Sequence, residues 1–232
     1  MAKNQKTYGI VVDFFKKKII AGDLKPGEKL PPEREIAEEL GVSRNSVREA
    51  IRFMDMTGVI SSQQGSGNYI TCDFQSSLEE TMGMMFAMDQ INYIQISQIR
   101  YSLERLAFTL ALDHASEEEI SLMEDCVNKL DKSTDASVNN ELDKKIHYTL
   151  ARASGNILIL DILEACSSVI DSFVKDLRRA IIQNEARKEL LNDCHHRIVK
   201  ALRKHNREAG IQAVKEHFAL IDEILLEWER RL

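Results

Sequence analysis

The sequence predicts a mainly α-helical protein with one small β-hairpin, and three observations carry that expectation. Its 232 residues include only 3 Pro and 10 Gly, too few breakers for a disordered or collagen-like chain. Apolar residues recur at three- and four-residue spacing over most of the length, the signature of amphipathic helices. Strand signals are confined to VISSQQGSGNYI, where two short runs flank a Gly-Ser-Gly turn. With 44% apolar residues, the chain is long enough to bury a sizeable core as one large or two small domains.

The first helix is expected over Tyr8–Ile20, where Ile10, Val11, Phe14, Phe15 and Ile19 recur at helical spacing and Gly22 follows as a stop. A Lys25-Pro26-Gly27 turn leads into LPPEREIAEEL. There Pro32 is expected at an early helical position, where its missing N–H is harmless, with Ile36, Ala37 and Leu40 on one face and Gly41 at the end. Ser43 is the natural N-cap of the next helix, RNSVREAIRFMDMTG. Its Val47, Ala50, Ile51 and Met54 point inward, while Arg44, Asn45, Arg48 and Arg52 take the opposite face.

Two helices joined by a tight Gly-Val-Ser turn, the second polar at its N-terminus, suit a reader of the major groove. Arg can bind guanine and Asn adenine with two hydrogen bonds each, and Ser43 with the helix N-terminus can hold a phosphate. Simple solvated helix charges would leave the agreement of turn, cap, spacing and polarity without a reason. Gly58 closes the helix, and the strands around Gly65-Ser66-Gly67 form a wing beside it. The expected fold class is therefore an N-terminal winged helix-turn-helix, residues 1–71, followed by a linker, 72–77, and an all-helical bundle, 78–232.

The stretch IIAGDLKPGEKLPPEREIAEELGVSRNSVREAI with TGVISSQQGSGNYI, within residues 8–71, resembles the winged helix-turn-helix of the GntR family of bacterial transcription regulators. The resemblance implies contacts to double-stranded operator DNA from Arg34, Ser43, Arg44, Asn45, Ser46 and Arg48, and from Gly65 in the wing. Asn45 and Ser46 stand where small hydroxyl residues or Pro are common in that family, and the tip GSGN has no basic residue. Charge distribution fits such a partner. Residues 1–70 hold 11 Lys+Arg against 9 Asp+Glu, whereas the whole chain carries 31 against 37, so a mildly basic head joins an acidic body.

Beyond TCDFQSS the chain has no Pro, and helices are expected over 76–88, 91–113, 117–132, 137–153, 156–183, 187–205 and 207–231, joined by the short loops of a bundle. Asp143 and His147, four apart, share a face beside Leu142, Ile146 and Leu150. His195 shares one with Leu191, Ile198 and Leu202, and His217 with Val214, Ile221 and Ile224. Converging inside a bundle, three imidazoles and a carboxylate would suit a divalent ion such as zinc, nickel or manganese. Each also has a plainer reading, as a hydrogen-bonded core histidine or an exposed i,i+4 pair. His196 falls toward Val199 and the exposed Lys200 and Arg203, and His114 and His205 lie at polar helix ends with no role assigned.

Through RYSLERLAFTLA, LDKKIHYTLARASGN and HHRIVKALRKHNREAGIQAVKEH, the body is similar to the all-helical FCD effector domain of FadR-like GntR regulators. Metal-binding members of that subfamily carry an Asp and a His four apart, then two His about 22 apart. The resemblance thus implies one divalent ion on Asp143, His147, His195 and His217, since His195 rather than His196 lies 22 residues before His217. It also implies a homodimer. A small carboxylate effector is expected to complete the ion's shell, its charge met by Arg100, which matches the Arg opening the domain's first motif. Arg100 lies in a helix with apolar positions Ile96, Ile99, Leu103 and Leu106, and reads equally as an i,i+4 partner of Glu104. Met82, Met84, Met85, Met88 and Phe86 are expected as adaptable packing surface, and Phe74–Met88 as the segment that transmits the signal.

The function expected is a ligand-responsive, DNA-binding transcription regulator. A metal sensor is one alternative; a metal-dependent enzyme tethered to DNA is another, against which stands the lack of an HExxH helix, a phosphate loop or a nucleophile elbow. No run of eighteen apolar residues and no secretory signal occurs, so a cytoplasmic location with no membrane partner is expected. Cys72, Cys126, Cys166 and Cys194 form no C-x-x-C pair and read as reduced thiols.

Overall fold

A computed structural model describes residues 7–88, 91–166 and 185–230. Its backbone divides into two compact units, Met1–Leu78 and Glu79–Leu232. The first contains helices α1 (Thr7–Ala21), α2 (Glu33–Leu40) and α3 (Arg44–Met56), and strands β1 (Ile60–Gln63) and β2 (Gly67–Ile70). Val11 and Phe15 from α1 meet Ile36 and Ala37 from α2 and Val47, Ala50, Ile51 and Met54 from α3 in one core.

Pro32 sits one step outside α2 rather than within it. Its ψ of 144° is extended, and its carbonyl accepts from the Glu35 and Ile36 N–H groups. An N-cap carbonyl does that work without an N–H of its own, so proline fits there as well as at the first helical position. Gly41 ends α2 with a left-handed φ of 64°, its N–H returning to the Ala37 carbonyl. Ser43 then caps α3, its Oγ accepting from the Ser46 N–H at 3.1 Å.

The strands pair antiparallel in the register Ile60↔Ile70 to Gln63↔Gly67. Both isoleucines are buried, and a one-residue slip would turn that face to water. On the other side of β2, Gly27 N–H donates to Ile70 O, Ile70 N–H to Glu28 O and Leu30 N–H to Asn68 O, at 2.7–2.9 Å.

The helix α4 (Gln75–Ala87) precedes α5 (Tyr93–His114), α6 (Glu117–Lys132), α7 (Ala136–Ala153), α8 (helical over 157–166), α9 (Glu185–Arg203) and α10 (Arg207–Glu229). The rest of the helix expected over 156–183 lies outside the described residues. Local chemistry starts several of these helices. Asn92 with Gln95, and Ser116 with Glu119, form reciprocal capping boxes, and Asp135 accepts from Ser137 and Val138 N–H. Helix α5 packs on α7 and α10, and α9 on α6 and α10, around a core that includes Phe108, Met123, Ile146, Leu150, Leu163, Leu202 and Val214. Met82 and Phe86 pack against Ile96 and Cys166, while Met84, Met85 and Met88 are exposed. Among the described residues no helix is long and apolar enough to cross a membrane.

The inward face of α5 differs from the stripe expected of it. Ile96 is buried, but Ile99 is 52% and Leu106 46% exposed, and the buried side is Ile96, Ser97, Glu104, Ala107, Phe108 and Ala111. Apolar residues occupy more than one side of this helix, so periodicity alone leaves its orientation open. Small side chains and a close approach decide it. Gly210 of α10 lies against the Phe108 ring so tightly that an added Cβ would stand 1.8 Å from Cζ. Gly210→Ala is therefore expected to destabilise the fold by about 1–3 kcal/mol through overpacking, measured as a lower denaturant midpoint. A wild-type midpoint would contradict this packing.

Candidate metal centre and nucleic-acid interface

The N-terminal turn of α3 presents Arg44 and Asn45 to solvent, with Ser43 at its cap and Ser46 half-buried behind. Arg48, one turn on, donates from Nε to Glu33 at 2.7 Å, and Arg34 on α2 stands 3.6 Å from Glu38. Both are solvent-facing pairs of small energetic worth. Gly65 has a φ of 77° in the hairpin turn, where Ser66 Oγ meets Tyr69 OH at 2.7 Å.

In the second unit α7, α9 and α10 bring His147, His195 and His217 together. All three are buried, and one nitrogen from each lies within 4.8 Å of the others. The Nε2 atoms of His147 and His195 are 3.3 Å apart. Asp143, one turn before His147, places Oδ1 3.4 Å from His195 Nε2 and Oδ2 3.8 Å from His147 Nε2. His196 points elsewhere, to an exposed pair with Asp131 at 2.8 Å.

These residues fit a divalent cation. Donors about 2.1 Å from one ion stand roughly 3.0–3.4 Å from their neighbours in octahedral or tetrahedral shells, and the two Nε2 atoms and Asp143 Oδ1 already approach those separations. His217 Nδ1 is buried with no hydrogen-bond partner among the described residues, an arrangement costly in the absence of a ligand. Burial, followed by the neighbouring His195 and His147, holds the His217 imidazole well below its ordinary pKa. The ring is therefore neutral at pH 7, as a metal ligand must be.

Behind His147 stands Glu104 of α5, its Oε2 bonded to His147 Nδ1. Its Oε1 accepts from Arg100 Nη2 at 3.0 Å and Nε at 3.2 Å. Burial by itself would raise the Glu104 carboxyl, but His147 and Arg100 outweigh it and hold the group below its usual range. The Arg100 guanidinium, though desolvated, is raised by Glu104 and Asp143, and lies 5.6 Å over the Phe218 ring.

Comparison with known proteins bears on both halves. Residues 7–70 match bacterial regulatory proteins of the gntR family, and residues 95–220 match the FCD domain. The chain is 30% identical to the uncharacterized HTH-type transcriptional regulator YdhC of Bacillus subtilis, over 88% of this chain and 84% of that protein. The chain belongs to the GntR family of bacterial regulatory proteins. This GntR-type regulator is also 26% identical to the putative L-lactate dehydrogenase operon regulatory protein of Escherichia coli, over 91% of this chain and 83% of that one. It shares its fold with a solved structure, Streptococcus agalactiae GntR, at a TM-score of 0.68 and 24% identity, covering 94% of this chain and 99% of the other. The family and these relatives are transcription regulators, not enzymes.

Of the residues singled out in this GntR-family sequence, the three histidines and Asp143 are gathered at one centre, with Arg100 one residue removed through Glu104. Sequence reasoning passed over Glu104 as half of a surface-type pair. Its importance emerges with the roll of α5, which places 104 on the buried stripe with 107, 108 and 111, where a lone carboxylate is too costly to remain without partners.

Proposed function

We propose that this regulator binds, as a homodimer, an operator of two inverted half-sites, and that its signal is a small carboxylate docking at a divalent ion held by Asp143, His147, His195 and His217. The convergence of three buried imidazoles beside a partly exposed carboxylate carries the second half of this reading. The bound ion supplies a Lewis-acidic point that a hard carboxylate oxygen can occupy in place of water. Asp143 and the histidines hold it, and Arg100 answers the remaining acid charge. The Nε and Nη2 of Arg100 engage Glu104 Oε1, and a guanidinium offers a further N–H edge at which a second carboxylate could bind. One relative's name, putative L-lactate dehydrogenase operon regulatory protein, points to an enzyme acting on a hydroxycarboxylate and so supports the ligand class.

On DNA, Arg44, Asn45 and Arg48 would read bases while Ser43, Ser46, Arg34 and Gly65 fix the backbone, in keeping with a recognition helix entered by its N-terminus. One short helix reads few base pairs, so a two-fold dimer on two half-sites supplies the rest.

Replacing Arg44 or Arg48 with Ala should weaken operator binding by about 1–3 kcal/mol for a lost bidentate base contact, measured by fluorescence anisotropy. Unchanged affinity in both variants would remove α3 from the interface. Elemental analysis should find about one divalent ion per chain, bound only by the folded site; His217→Ala should lose it and His196→Ala keep it, and the reverse would reassign the ligands. Calorimetry with small mono-, di- and tricarboxylates should show binding that disappears on chelation and weakens in Arg100→Ala. A carboxylate that binds chelated protein as tightly would make the ion structural.

A further inference from the structure

Glu104 spends each carboxylate oxygen on a different partner. Oε2 takes His147 Nδ1, and Oε1 takes the Nε and Nη2 of Arg100. All of this happens in the interior: Glu104 is 2% and His147 3% exposed. A neutral imidazole has a single N–H, and the hydrogen bond at one nitrogen decides which nitrogen carries it. In the neutral form that can bind a metal, donation from Nδ1 to Glu104 leaves Nε2 as a bare lone pair. That is the atom lying 3.3 Å from His195 Nε2 and 3.8 Å from Asp143 Oδ2.

We infer that Glu104 is a positioning residue for the metal centre: through the Nδ1 bond it fixes the tautomer and ring orientation of His147, with Arg100 as its counter-charge. The inference rests on the metal reading above and adds to it a carboxylate that touches no ion. Glu104 comes from α5 and His147 from α7, so the ligand's aim depends on the seating of a helix that contributes no ligand. Arg100 links the same carboxylate to the proposed effector pocket, since the guanidinium that balances Glu104 is the one offered to the incoming acid. A merely structural Arg100–Glu104 pair would stabilise the bundle but leave the chemistry of His147 unchanged.

The test uses the full chain and zinc alone. In Glu104→Gln an acceptor remains without its charge; in Glu104→Leu both are gone. Competition against a chromogenic chelator should find zinc affinity about tenfold weaker in the first and about a hundredfold weaker in the second, the range for loss of an outer hydrogen-bond partner of a ligating histidine. Nitrogen-15 spectra of the chelated protein should find His147 protonated at Nδ1 in wild type and Glu104→Gln, and redistributed toward Nε2 in Glu104→Leu. Wild-type zinc affinity in a folded Glu104→Gln or Glu104→Leu variant overturns the inference, as does an Nε2–H tautomer in the wild-type protein. If Glu104→Leu does not fold, Glu104→Gln alone decides. Should wild-type protein bind no zinc at all, the metal reading fails, and the His147 tautomer still decides whether Glu104 orients that ring.

Discussion

The interior of the second unit is organised by one hydrogen-bonded chain, Arg100 to Glu104 to His147, in which each group makes the next one tolerable. Two further imidazoles, His195 and His217, complete a buried polar cluster inside a mostly apolar core. Buried charges are retained only where they are paired and hydrogen-bonded. Here the guanidinium is matched by one carboxylate, that carboxylate is shared with one imidazole, and His217 is kept neutral by burial and by its neighbours. Four helices, α5, α7, α9 and α10, must be in register for this set to assemble, which links the chemistry of the centre directly to the packing of the bundle.

Much of this arrangement was legible in the sequence where local chemistry decides it. Ser43 announces the start of α3, and the limits of α6 follow from its apolar period, with the Ser116 cap seen in the structure. His195 and His196 separate on a face argument, because only position 195 joins Leu191, Ile198 and Leu202; the structure buries the first and exposes the second. What could not be read is tertiary. The roll of α5 depends on how closely α10 approaches at Gly210, and no pattern within α5 encodes that distance. Glu104 was hidden for the same reason: on a helix with apolar residues on more than one side, its burial emerges only once the inward side is known. The departure at Pro32 is smaller and local, since proline satisfies the cap and the first helical position by the same lack of a donor.

The two units handle charge in opposite ways. In the head, arginines lie on the surface in exposed pairs such as Arg48 with Glu33, interactions weak enough to be traded for a polyanion. The bundle also carries exposed pairs, such as Arg203 with Glu117 and Glu124, but at its centre Arg100, Glu104 and His147 are committed to one another in the interior. A regulator needs both: a surface whose ionic contacts exchange readily, and an interior site whose affinity is set by fixed geometry.

The hairpin in the head is built into the same core as α3. Ile60 and Ile70 tie its base into the same core that seats α3, and the strip of chain from Gly27 to Leu30 laces its outer edge. Hairpin and α3 are thus fixed to one another through a shared core. On the proposed reading, the offset between a base contact at α3 and a backbone contact at the hairpin would be set by that shared core, and an operator half-site would tolerate no sliding of one contact relative to the other. The same lacing occupies N–H and C=O groups on the β2 edge that a bare strand would offer to a neighbouring chain, which blunts that edge as a template for strand-to-strand aggregation.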